Sequence, residues 1–105
     1  MFAKRPQADF QSRCVAALLR VLEKHGYSVQ FESVTDGLKR LVGSFRFRGN
    51  FHQVEIYVND VSMTSGDQLF EAYTRSEYES EDTLIKGFSL RLDRYLSGQS
   101  WDEDA

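Results

Sequence analysis

The chain of 105 residues is 41% hydrophobic and 28% charged, with 13 basic and 16 acidic side chains and a formal net charge of -3. That is the size and apolar content of one folding unit with a core of its own, and its charge and low proline content set it apart from disordered chains. No run reaches the roughly 18 apolar residues of a membrane span, because Arg20 interrupts the longest, and the polar residues Gln7 to Arg13 argue against a secretory leader.

Phe10, Cys14, Ala17, Leu18, Val21 and Leu22 recur at i, i+4, i+7 and i+8, which predicts an amphipathic helix from Ala8 to His25. Pro6 precedes it and Gly26 ends it. Cys14, the single cysteine, sits on the apolar side, so a buried structural thiol in a cytoplasmic protein is expected.

The hydrophobic period then changes from 3.6 to 2. Val29, Phe31 and Ser33 alternate with polar neighbours up to Val34 as a first strand, and Thr35-Asp36-Gly37 reads as a turn. From Leu38 to Arg48, Leu41, Phe45 and Phe47 share one side, with Arg40, Val42, Ser44, Arg46 and Arg48 on the other. Gly49-Asn50 is the expected two-residue turn, and Phe51 to Val58 returns with Val54, Ile56 and Val58 in phase. Asn59 to Asp67 is rich in Asn, Asp, Ser, Thr and Gly and predicts a loop, followed by a fourth strand from Gln68 to Arg75.

The last element is a helix from Thr83, striped by Leu84, Ile85, Phe88, Leu92, Tyr95 and Leu96. Ser80 is its N-cap, Glu81 and Asp82 face the positive end of the helix dipole, and Gly98 stops it. The expectation is one α+β domain over residues 1–98, order α-β-β-β-β-α. Its four-stranded antiparallel sheet is flanked by an N-terminal and a C-terminal amphipathic helix, and a short acidic tail, 99–105, carries the only tryptophan, Trp101.

Motifs with chemistry are sparse. The sequence contains neither GxGxxG nor GxxxxGK[ST], so nothing points to nucleotide binding, and no cofactor is expected. His25 at a helix end and His52 beside a hairpin turn lack neighbours at metal-ligand spacing, so a capping role and a surface or cross-strand role are expected, with no metal. Lys39, Arg40, Arg46 and Arg48 form a basic strip, but Phe45 and Phe47 have the opposite parity, which argues against stacked bases and nucleic-acid binding.

Charge is unevenly spread. Residues 1–58 hold nine basic and five acidic groups, whereas 59–105 hold four basic and eleven acidic. Glu71, Tyr73, Glu77, Tyr78, Glu79, Glu81 and Asp82 interleave acids with aromatics, a composition suited to docking a basic protein partner. With no catalytic constellation in view, the sequence reads as a non-enzymatic binding module that neutralises or escorts a partner. Its size and acidity are comparable to those of bacterial or phage accessory proteins such as immunity proteins, inhibitors and secretion chaperones, an analogy at the level of fold. Two alternatives remain open: a small enzyme or ligand-binding domain with a pocket between the sheet and the 59–67 loop, and a homodimer with sheets packed face to face.

Overall fold

The computed structural model describes residues 9–71 and 80–101. Its elements are α1 (Phe10–Lys24), β1 (Glu32–Val34), β2 (Arg40–Phe47), β3 (Asn50–Ile56), β4 (Val61–Ser65), β5 (Gln68–Phe70) and α2 (Glu81–Leu96).

Both helices use the same terminal devices. The side chain of Asp9 accepts the Ser12 N–H at 2.8 Å and that of Ser80 accepts the Thr83 N–H at 3.1 Å, each satisfying a donor that the first helical turn leaves unpaired. At the other end, Tyr27 N–H reaches Leu22 O at 2.9 Å and Gly26 N–H reaches Glu23 O at 3.0 Å, with Gly26 at φ 88. Gln99 and Gly98 repeat that pattern on Arg94 and Tyr95, with Gly98 at φ 107. A left-handed residue is what this double closure requires, and glycine adopts it without strain.

The strands form an antiparallel meander in the order β1-β2-β3-β4-β5, five where the sequence predicts four. The additional strand is β4, inside the predicted 59–67 loop. Val61 and Met63 are buried there and alternate with Ser62 and Thr64, a period of two that the polar composition masks. The predicted fourth strand is thus β5, and its continuation beyond Glu71 lies outside the described residues.

Other boundaries shift for local reasons. The register Phe47↔Asn50 makes Arg48-Gly49 the two-residue turn, one position earlier than predicted, with φ 54 and 82 at its two centres. Positive φ at both is the type I′ geometry, whose twist matches that of the flanking strands. β1 begins only at Glu32; Val29 and Phe31 pack instead over Gly43 of β2, where an added Cβ would stand 2.9 Å from each side chain. Val58, expected in phase with Ile56, is 64% exposed because Tyr57 N–H turns to Asp60 O at 2.7 Å and ends the strand.

One sheet face takes both helices. Phe10, Cys14, Leu18 and Leu22 of α1 and Leu84, Ile85, Phe88, Leu92 and Leu96 of α2 enter a single core with Phe45, Val54, Ile56, Met63 and Phe70 of the sheet. Each such side chain of Val, Leu or Phe size contributes about 1.5 to 3 kcal/mol on burial. Arg13 pairs with Glu81 and Asp82, and Lys24 and His25 with Asp93, so start meets start and end meets end: the helices run parallel. Trp101, placed by the sequence in the acidic tail, is 4% exposed. Its ring lies edge-on to Phe70 and Phe88, and its Nε1–H donates to Glu71 O at 2.8 Å.

Candidate functional site

With the helices gathered on one side, no described element covers the opposite face of the sheet. Strand alternation sends Val42, Ser44 and Arg46 of β2, Phe51 and Gln53 of β3 and Leu69 of β5 to that face. Phe51 is 52% exposed and Leu69 56%, large apolar side chains held out by the register of the strands that carry them.

At the middle of this face Glu55 gathers a small polar network. Its carboxylate accepts from Arg40 Nε at 3.3 Å, Gln53 Nε2 at 3.2 Å and the Tyr57 hydroxyl at 2.9 Å. Desolvation, reinforced by the hydrogen bond to Glu55, pushes the Tyr57 hydroxyl above its ordinary pKa. These partners are fixed to one another, which leaves Glu32 and Arg46 as the charged side chains of this face with no hydrogen bond or ion pair to any described residue.

The acidic and aromatic segment is distributed differently from the sequence expectation. Tyr73, Glu77, Tyr78 and Glu79 lie outside the described residues. Glu71 is exposed, and its carbonyl holds the Trp101 indole. Glu81 lies 2.8 Å from Arg13 Nη2 and Asp82 is bonded to Arg13 Nη1, so both carboxylates tie α2 to α1. They belong to the helix layer, on the far side of the molecule from the uncovered sheet face.

Both histidines have structural partners. His52 is 1% exposed, so the surface position expected for it is not taken, while the cross-strand one is: its even parity with Val54 and Ile56 turns it inward, opposite Phe45. Nδ1 lies 3.0 Å from the Asn50 carbonyl, which can only accept, so Nδ1 carries the proton and Nε2 accepts from the Tyr95 hydroxyl at 2.7 Å. Phe45 and Phe70 stack on the ring, and Phe47 meets it edge-on. Burial raises the Tyr95 hydroxyl above its ordinary pKa. His25 closes α1, and its Nε2 lies 2.7 Å from Asp93 Oδ1 while Lys24 Nζ lies 3.0 Å from Oδ2. The hydrogen bond from His25, and then that from Lys24, holds the Asp93 carboxyl below its usual range.

Cys14 is fully buried, and desolvation pushes its thiol up to about 12, which removes it as a nucleophile at neutral pH. Among the described residues no group of three His, Cys, Asp or Glu side chains could hold a metal ion, and no helix is long and apolar enough to cross a membrane. The loop expected to cover a pocket over the sheet is not there as a cover: residues 61–65 are hydrogen-bonded into the sheet as β4. No protein family, curated protein or solved structure matches the chain.

Proposed function

We propose that the protein is a non-enzymatic binding module that takes a protein partner on the uncovered face of its sheet. The supporting observation is the exposure of Phe51 and Leu69 on a face that both helices leave bare, next to Arg46 and the polar network of Glu55. Large apolar anchors in a mixed polar surround are the composition of a protein interface centre, and the unpaired Glu32 and Arg46 supply charges to set orientation. Neutralising or escorting the partner is the role we assign to this face, whose exposed apolar side chains are carried on paired antiparallel strands.

The test is a Phe51→Glu, Leu69→Glu double variant used as bait in the native host beside wild type. A specific protein retained by wild type and lost by the variant, with thermal midpoints nearly unchanged, is the expected result. A set of captured proteins identical for both baits overturns the reading.

A second reading has its own observation. Glu32 and Arg46 are opposite in sign, and a two-fold axis through the sheet face would set each against its mate in a second copy. Light scattering across a concentration series then shows a dimer that Arg46→Glu dissociates. A strict monomer rejects the homodimer while leaving partner binding standing.

A further inference from the structure

The outer side of the helix layer carries a groove of about 670 Å³ between α1 and α2. Arg13, Ala17 and Arg20 form one wall and Asp82, Ile85 and Ser89 the other. The lining repeats every three or four residues on both helices, so the groove follows their axes for about two turns. Its floor is low and apolar, made by Ala16, Ala17, Val21 and Ile85.

The charges of the walls are not all compensated. Arg13 is neutralised by Glu81 and Asp82, but Arg20 and Lys86 make no ion pair with any described residue. The register that sets Arg13 against Asp82 and Lys24 against Asp93 places Arg20 level with Ser89 and Lys86 level with Ala17. The two cations therefore stand on opposite walls, about one turn apart.

We infer that this groove receives a short amphipathic helix of a partner protein, apolar side chains down on Ala17, Val21 and Ile85, acidic flanks on Arg20 and Lys86. A helix fits because the groove is straight, two turns long and open, with its cations at the rims and its apolar surface in the middle. A polyphosphate or nucleic acid would find too few cations here, since Arg13 is already paired with Glu81 and Asp82. The surface is distinct from the outer sheet face, since it lies on the helix layer.

The probes are two fluorescein-labelled, stapled helical peptides with leucines at i, i+4 and i+7, one flanked by glutamates and the other by lysines. Fluorescence anisotropy is expected to show the glutamate peptide binding at least about tenfold more tightly. The Arg20→Glu, Lys86→Glu variant reverses that preference while keeping its thermal midpoint. Amide chemical shifts of the complex move along α1 and α2. The Phe51→Glu, Leu69→Glu variant binds the peptide as wild type does, which separates this groove from the sheet-face reading. Equal affinity for both peptides, an unreversed preference, or shifts confined to the sheet overturns the inference.

Discussion

Phe51 and His52 are adjacent in β3, and they occupy the two faces of the sheet in the order opposite to their hydropathy: the phenylalanine is 52% exposed, the histidine 1%. Burying His52 is tolerable because the Asn50 carbonyl and the Tyr95 hydroxyl satisfy both ring nitrogens and aromatic rings fill the space around it. Leaving Phe51 52% exposed forgoes about half of the roughly 1.5 to 3 kcal/mol that full burial of such a side chain contributes. Among the described residues, the inner face is covered by both helices, whereas the outer face carries the exposed Phe51 and Leu69.

The largest test of that contrast lies at Phe88, fully buried between α2 and Trp101 on the inner side. Phe88→Ala is expected to lower the free energy of unfolding by about 3 to 5 kcal/mol in urea denaturation. A loss below about 1 kcal/mol would mean that α2 does not cover the inner face.

Next in size is the polar pair within the aromatic core. Tyr95→Phe leaves His52 Nε2 buried without a donor and is expected to cost about 1 to 3 kcal/mol. Adding His52→Leu removes the orphaned nitrogen and should recover part of the loss, since the Asn50 carbonyl is at an exposed residue and can turn to water. Simple additivity of the two substitutions would show that His52 and Tyr95 are not coupled.

Much of the inner face was legible in the sequence because burial follows period. The stripes of α1 and α2 and the parity of Phe45, Phe47, Val54 and Ile56 all reappear as core. His52 shares the parity of Val54, but residue type concealed it. β4 was hidden by composition, since Ser62, Thr64 and Ser65 resemble a loop although Val61 and Met63 keep strand spacing. The burial of Trp101 was not legible because its indole partner, the Glu71 carbonyl, lies 30 residues away in sequence.

The surfaces were less legible. An apolar stripe says that a helix is covered, not which face of the sheet covers it, so the bare outer face emerged only from the parallel pairing of α1 and α2. The same pairing gave Glu81 and Asp82 a partner in Arg13, 68 and 69 residues away, that local sequence could not reveal. That Arg20 and Lys86 stand on opposite walls of one groove follows from the pairing of the helices and not from their local sequence.

The helix layer offers a pH-dependent test of smaller size. Asp93 is held below its ordinary carboxyl pKa of 3.8, chiefly by the His25 hydrogen bond, so its contribution is fully present above the unfolded value and is lost as pH falls below it. Thermal midpoints measured from about pH 5 down to pH 2.5 should therefore fall more steeply for wild type than for Asp93→Asn, with a difference under about 1 kcal/mol for so accessible a pair. Parallel curves would show that the contact between Asp93 and the end of α1 does not form in solution.

The smallest expected effect carries the sharpest information about the outer face. Phe51→Thr places a β-branched residue of good strand propensity opposite Arg46 and removes a ring that is half exposed, so unfolding free energy should change by less than about 1 kcal/mol. The same substitution made in the presence of the proposed partner should abolish the stabilisation that partner confers, because binding to the native state alone raises apparent stability by mass action. A large loss in the isolated monomer would place the Phe51 ring among its own structural contacts and make the outer face as self-sufficient as the inner one.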